Sequence, residues 1–495
     1  MSYFLGIDVG TSSVKSLLMD PQGKIIGLAQ QGYDVICPHP MWAEIPVADI
    51  WNATCKTLRQ LSDTYPETVK QVKAISFSGQ MHSMILLDEN DNPVWNAITW
   101  LDNRSIEEAK EIDRISHEKG YRSKILNAVT PNILVSFLYW LEKYKPEVIC
   151  RAQHVMLVKD YIRYKICGEI GTDHSDAAST MIFDQIKHEW AWDMMDELHL
   201  RKELFPKESH NSHEIAGCVT AECARLTGLK EGTLVCYGGG DTLMNHIGNG
   251  LVYNDGRILS TIGTSSHVSS GLTFPLSDLQ NRAFTYCHVL PDRWLTLIGG
   301  PNGGIVLKWL KNNILGGNYS FDEMSAIGAK APVGSNGVRC IPYLSGSHLP
   351  LNPAAKSVYV GMGLSHGQSE LVRSTMEGMV FILRKALNVL RELDVETKSI
   401  IATGGGSKDP LLLRIQADMF NLPVHINLGQ EISCMGAAIS AAVGSRYYHS
   451  YEEACDAIVR FSDQIIEPDP VNARIYEDIF PDFDRVYEQN IAFFR

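Results

Sequence analysis

The chain has 495 residues, 45% of them hydrophobic and 20% charged, with a formal net charge of −13. That length predicts two domains, the composition is that of a soluble globular protein, and the acidic balance argues against a nucleic-acid or anionic-membrane surface. The cysteines form no Cys-x-x-Cys pair and read as reduced thiols, and with neither a signal-peptide pattern nor an apolar run of roughly 20 residues a cytoplasmic location is expected.

In chain order, the first stretch is FLGIDVGTSSVKSLLMDPQGKIIG. An apolar run from Phe4 ends in Asp8, and Gly10, the hydroxyl residues Thr11, Ser12 and Ser13, Lys15 and a second aliphatic run follow. This fits a plain β-hairpin with Asp-x-Gly turn chemistry. It also fits a phosphate cradle, in which glycine lets the backbone approach an anion, the hydroxyls donate to its oxygens and Asp8 holds a hydrated Mg²⁺. Short strands follow in VKAISFSGQM and in SMILLDENDNPVWNAITW, the latter turning at DENDNP. VSFLYWLEKYKPEVI has apolar residues at helical spacing and a Lys-Pro stop. The alternation predicts a mixed α/β fold.

Around residue 230 the pattern begins again. GTLVCYGGGDTLMNHIGNG is a strand, three glycines and Asp241, an acid that fits either a ligand-facing strand end or an Asx-turn or helix N-cap. GRILSTIGTSSHVSSG then repeats the strand, Gly-Thr-Ser-Ser, strand order, with Gly263 and Thr264 in the places of Gly10 and Thr11. Two related halves facing one phosphate site would produce this recurrence. In SIIATGGGSKDPLLLRIQADMFNLPV a strand enters Gly404, Gly405 and Gly406, and a helix with Leu411, Leu412, Ile415 and Met419 begins after Pro410. The glycines suit a strand–turn–helix joint or close backbone approach to a nucleotide at a helix N-terminus. The tail from YEEACDAIVRFSDQII reads as short helices.

This order of segments resembles the superfamily of sugar kinases, actin and heat-shock ATPases, and over essentially its full length the chain resembles the FGGY carbohydrate kinases. SFSGQMHSMILLDENDNPV is similar to the Gly-Gln-Met-His sugar-binding motif of the ketopentose-phosphorylating members. LVKDYIRYKICGEIGTDHSDAASTMIFD resembles their Lys-Asp-Tyr and Asp-x-Ser-Asp-Ala-Ala stretch, GGGD their catalytic loop, and GMGLSHGQSELVRSTMEGMVF the family's C-terminal signature. The resemblance implies two actin-like, ribonuclease H-like ATPase domains flanking a catalytic cleft. They are expected at 1–247, with the sugar site and the first phosphate hairpin, and at 248–450, with the nucleotide site; 451–495 would pack back on the body.

By the same resemblance Asp241 is the expected general base and Asp8 the acid that positions Mg²⁺ or phosphate. Thr11, Ser12, Ser13 and Lys15 would touch the β- and γ-phosphates of ATP, opposed by Gly263 and Thr264, unless Lys15 is simply an exposed strand lysine. Gly404 and Gly405, with Asp409 nearby, would pass close to the adenosine. Met81 and His82 match the sugar-contacting pair. Asp102 and Arg104 would either hydrogen-bond sugar hydroxyls or pair with each other. Trp100 and Trp309 would pack, or present an indole face to sugar.

The implied reaction is phosphorylation of D-xylulose at its terminal hydroxyl. Ser83 and the Trp100–Arg104 segment are more like the gluconate-phosphorylating members, and Thr242 stands where the ketopentose branch commonly has Asn, so gluconate or another polyol is the alternative. A non-enzymatic ATPase switch is the third reading. The expected partner is a small sugar, with no nucleic acid and no membrane; a homodimer is left open. Sugar binding is expected to close the two halves about a loose hinge at Gly238–Gly250.

Overall fold

The structure, a computed structural model, describes residues 2–494. The chain opens with an antiparallel meander, β1 (Tyr3–Val9), β2 (Ser13–Met19) and β3 (Ile25–Gly32), followed by α1 (Val47–Thr64). β4 (Val72–Gly79) joins β1 in parallel, and β5 (Leu234–Cys236) joins β4 in parallel. Ile215–Cys218 extends the far edge and Gly239–Gly240 pairs with the end of β4, which completes a seven-stranded sheet. β1 is buried along most of its length, as its apolar sequence requires when both faces of a sheet are covered. A long excursion between β4 and β5 carries three strands of a four-stranded sheet, whose fourth is Glu44–Ile45 ahead of α1, and the helix Leu134–Tyr144, which stops as its Lys145-Pro146 sequence predicts because Pro146 opens the next helix.

After α2 (Asp241–Gly248) the second half builds β6 (Arg257–Ile262), β7 (Ser266–Leu272), β8 (Phe284–Cys287), β9 (Trp294–Gly300), α3 (Gln368–Glu392), β10 (Ser399–Thr403), α4 (Pro410–Phe420) and β11 (Val424–Ile426). Its sheet runs β8-β9-β7-β6-β10-β11. β6, β7 and β9 form an antiparallel set, and β10 and β11 add in parallel beside β6, so these five strands repeat the arrangement of β1, β2, β3, β4 and β5. The two Gly-Thr-Ser-Ser tetrapeptides are the equivalent hairpin turns, closed by Gly10 N–H to the Ser13 carbonyl at 3.0 Å and by Gly263 N–H to the Ser265 carbonyl at 2.9 Å. The fold is the mixed α/β, two-domain architecture expected from sequence.

α5 (Ile432–Gly444) returns to the first half and lies on its sheet. A Cβ on Gly6 of β1 would stand 2.0 Å from the Cys434 carbonyl oxygen. α5 also crosses α2, where a Cβ on Gly436 would stand 1.9 Å from the Met244 carbonyl oxygen and one on Gly248 2.1 Å from that of Ile432. The expectation of a loose hinge at Gly238–Gly250 is corrected here. Residues 241–248 are helical, and their glycine serves backbone-to-backbone packing rather than backbone rotation.

The tail contains α6 (Pro470–Asn490), a longer helix than the short ones expected, with Pro481 inside it. Tyr476, Phe483 and Tyr487 bury its inner face in the core of the second half. Every cysteine is a free thiol. Among the described residues no helix is long and apolar enough to cross a membrane.

Candidate active site

β1 delivers Asp8 to the cleft between the two halves. Strand register sets it beside Lys15 on β2 and Ser78 on β4, and Ser78 Oγ donates to Asp8 Oδ1 at 2.7 Å. Burial raises the pKa of Asp8, outweighing the Ser78 bond and the Lys15 charge. Lys15 Nζ reaches across to Glu431 Oε2 at 2.6 Å, joining the first half to the residue that precedes α5. Asp8, Lys15 and Glu431 line a cavity of about 500 Å³ together with Gly404, Lys408 and Ser433. The Gly10–Ser13 turn beside it is braced by Tyr33, whose amide donates to the Ser12 carbonyl and whose hydroxyl donates to that of Gly10. Gln30 Nε2 donates to Ser13 Oγ at 3.1 Å, and the indole of Trp100 to Thr11 Oγ1 at 2.8 Å.

A buried acid with a raised pKa gains from a neighbouring cation. Mg²⁺ is held by one or two carboxylates, phosphate oxygens and water rather than by an all-protein cage, so Asp8 in this cavity fits it. Among the described residues no cluster of three or more His, Cys, Asp or Glu forms a closed metal site.

Asp241 is the first residue of α2. Gly239 and Gly240 run along the end of β4 and bring the turn so near Met81 that a Cβ on Gly240 would lie 2.8 Å from Met81 Cγ. The Thr242 amide and hydroxyl both donate to Asp241 Oδ1, at 2.6 and 3.3 Å. Burial first, and then the Asp8 charge, push the pKa of Asp241 up to about 7. A carboxylate so poised can take a proton from a hydroxyl at neutral pH.

His82 sits in the left-handed region at φ 68°. Its Nδ1 lies 2.8 Å from the Ser179 carbonyl oxygen, which can only accept, so Nδ1 carries the hydrogen and Nε2 is left as an acceptor. Burial lowers its pKa to about 4, and the ring is neutral. The ring centroid is 5.7 Å from that of Tyr286 on β8, so the second half closes over this side.

The Gly404–Gly406 turn presses on the end of β6. Gly404 has φ 78°, and a Cβ there would lie 2.7 Å from the Ile262 carbonyl oxygen. Beside it, Ile262, Leu307, Phe321, Met379 and Leu412 line an apolar cavity of about 290 Å³ that shares Gly405 and Lys408 with the acid-lined one. Gly263 and Asp409 also border it. The two adjoining cavities suit a flat heteroaromatic group continued by a polyanion. The Asp409 carboxylate is a helix cap, accepting from the Leu411 and Leu412 amides at 2.9 and 3.1 Å and from Ser325 Oγ at 2.7 Å. Thr264 is exposed at its turn, its carbonyl accepting from the Gly303 amide at 3.2 Å.

Of the two alternatives for Asp102 and Arg104, the structure contains the mutual pair. Arg104 Nη2 lies 2.7 Å from Asp102 Oδ2 and 2.6 Å from Glu44 Oε1, and the Ala43 amide donates to the same Asp102 oxygen. All three side chains are at most 3% exposed, and the Arg104 guanidinium stacks 3.7 Å above the Trp42 ring. Trp309 is partly buried in the core of the second half, whereas Trp100 is 39% exposed. Ser83 is buried, donating to Gln80 Oε1 at 3.0 Å and accepting from the Trp100 amide at 3.1 Å. Sequence reading missed Lys408, Glu431 and Ser433. Lys408 directly follows the glycine turn and was open to notice; Glu431 and Ser433 reach the cleft only because α5 folds back onto the first half.

Residues 3–248 match the N-terminal domain, and 259–445 the C-terminal domain, of the FGGY family of carbohydrate kinases. The xylulose kinase of Staphylococcus epidermidis is 31% identical over 487 residues, covering 98% of this chain and 96% of that protein. The gluconokinase of Bacillus subtilis is 28% identical over 502 residues, covering 98% of this chain and 96% of that one. The crystal structure of xylulose kinase from Rhodospirillum rubrum superposes with a TM-score of 0.92 at 26% identity, covering 99% of both chains. Two matched domains in order, an acid-lined cleft between them and an adjoining base-sized pocket thus place the chain among the FGGY carbohydrate kinases, as an enzyme that phosphorylates a small sugar.

Proposed function

We propose that the chain phosphorylates D-xylulose at its terminal hydroxyl, with ATP as donor and Asp241 as the general base. The observation that carries this reading is the Asp241 carboxylate, directly after the Gly240 turn that abuts Met81 and with its pKa raised to about 7 by burial and the Asp8 charge. Met81 and the acceptor Nε2 of neutral His82 orient the open-chain sugar. The Asp241 carboxylate takes the proton of the terminal hydroxyl as that oxygen attacks the γ-phosphorus in line. The bond from phosphorus to the β–γ bridging oxygen breaks, ADP leaves, and Asp241 returns its proton to solvent. Thr11–Ser13 and Lys15 from one side, and the Gly263–Thr264 turn from the other, hold the phosphates, while the apolar pocket beside Gly405 takes the adenine. Asp8 would hold Mg²⁺, which when bound neutralises phosphate charge.

A ketose rather than a sugar acid is favoured by charge. The charge acting on Asp241 is that of the acid Asp8, His82 is neutral, and Arg104 is committed to Asp102 and Glu44. A gluconate carboxylate would add a further negative charge beside Asp8 and Asp241. The Ser83 hydroxyl, the residue most suggestive of gluconate, is engaged by Gln80 and by the Trp100 amide. The sequence similarity to both xylulose kinases and gluconokinases keeps gluconate as the second reading. Coupled ADP release across pentuloses, hexuloses, polyols and sugar acids tests the choice. D-xylulose should give the highest kcat/KM, and a clear preference for gluconate would overturn the reading.

A further inference from the structure

Behind the Asp241 turn lies an ion cluster sealed from solvent. Lys159 Nζ is 2.6 Å from Asp160 Oδ1, 2.9 Å from Asp173 Oδ1 and 3.1 Å from Asp176 Oδ2, and all four side chains are at most 1% exposed. Breaking such a buried group is costly and replacing it with apolar packing often is not, so its contacts raise the question of what it holds in place. Asp173 Oδ2 accepts from the Ser175 amide at 2.9 Å, from Ser175 Oγ at 2.5 Å and from Ser212 Oγ at 3.0 Å. The Ser175 hydroxyl has one hydrogen and gives it to Asp173, so it faces its other neighbour as an acceptor. That neighbour is the Gly240 amide, 3.0 Å away.

The direction of the chain is therefore fixed: Gly240 N–H donates to Ser175 Oγ, Ser175 O–H donates to the Asp173 carboxylate, and that carboxylate is ion-paired with the Lys159 ammonium. A hydroxyl polarised by a carboxylate is the stronger acceptor for it. Gly240 has no side chain, so on this side its amide is the handle by which the turn before Asp241 can be held. The Lys159 stem also fills the space beside Gly79, where a Cβ would come within 2.7 Å of Lys159 Cβ. The same helix, His174–Ser179, ends at the carbonyl that orients His82.

We infer that Ser175, anchored by Asp173 and Lys159, is a positioning residue that sets the Gly240–Asp241 turn for proton transfer. The inference rests on the proposed role of Asp241. A base displaced from its hydroxyl loses turnover steeply, since misplacement near 1 Å can cost about a hundredfold, whereas ATP binds to other elements.

The test compares Ser175→Ala, Ser212→Ala and Asp241→Asn in the full chain, with steady-state kinetics on the sugar the unmodified enzyme turns over fastest and with thermal unfolding midpoints. Ser212→Ala removes a bond to the same Asp173 oxygen without touching Gly240, so it controls for damage to the cluster. Ser175→Ala should lower kcat by about tenfold to a hundredfold with KM for ATP unchanged and an unfolding midpoint close to that of Ser212→Ala, which should keep kcat within about twofold. Ser175→Thr, which keeps the hydroxyl, should recover most of the turnover. If Ser175→Ala does not fold, Ser175→Cys, of similar volume but a weak acceptor, takes its place. Wild-type kcat in Ser175→Ala, equal losses in Ser175→Ala and Ser212→Ala, or a loss confined to KM would overturn the inference. Failure of the base assignment itself would show separately, as an active Asp241→Asn.

Discussion

Asp241→Asn should make the protein much slower and, at alkaline pH, more stable. Asn preserves the volume and an oxygen for the Thr242 amide and hydroxyl, which donate to Oδ1 at 2.6 and 3.3 Å. The position turned to the cleft then becomes an NH₂ group, which cannot take a proton. Loss of a positioned base costs about 10²–10⁴ in rate, or roughly 3–5 kcal/mol of barrier. The stability gain follows from the shift of the Asp241 pKa from 3.8 to about 7, caused by burial and the Asp8 charge. Because the folded value lies above the unfolded one, the stability this group contributes is full at acid pH and is lost as pH rises through about 7. The full shift corresponds to about 4 kcal/mol, and the partial opening of the carboxylate to the cleft screens it to ~2 kcal/mol. Coupled ADP release measures the first effect, and scanning calorimetry from pH 5 to 8 the second. Wild-type kcat/KM should also fall below about pH 7 as Asp241 protonates. Turnover within a few-fold of wild type would refute the base, and an unfolding temperature at pH 8 below that of wild type would refute the electrostatic argument.

Lys15→Met removes the cation that now bridges to Glu431; KM for ATP should rise about tenfold, the scale of one charge-assisted contact, with the sugar KM unchanged, in the same ADP assay. Gly436→Ala places a methyl 1.9 Å from the Met244 carbonyl oxygen, where neither helix backbone can yield, and urea unfolding should show a loss of about 3 kcal/mol or more.

The hairpin turns were legible because turn chemistry is local: a glycine, hydroxyl residues and flanking apolar runs mark Gly10–Ser13 and Gly263–Ser266 whatever surrounds them. Asp241 was legible for the same reason, as an acid directly behind glycines. Arg104 was not, because its fate depends on Glu44 and Trp42, some sixty residues earlier, and no spacing rule links them. Glu431 was invisible in the same way, since it meets Lys15 only through the return of α5 to β1. The glycine of α2 misled in the opposite sense. Sequence shows that a side chain is missing there, and only the neighbouring helix shows that the missing side chain is what permits contact.

The repeated half has a consequence for direction. Two copies of one hairpin facing each other form two hands with the same grip, and a triphosphate lying between identical hands would have no preferred way round. The copies differ where it matters: strand pairing sets Asp8 opposite Lys15 in the first and Thr261 opposite His267 in the second. The neighbouring strands offer Ser78 to Asp8 and Thr403 to Thr261, so the strand order is kept while the turn is one residue tighter and the charged pair is gone. On the proposed reading this asymmetry gives the nucleotide a head and a tail. Its phosphates are drawn toward the half that also carries the sugar and its base is left to the other, so two similar halves make a catalyst with one sense of transfer.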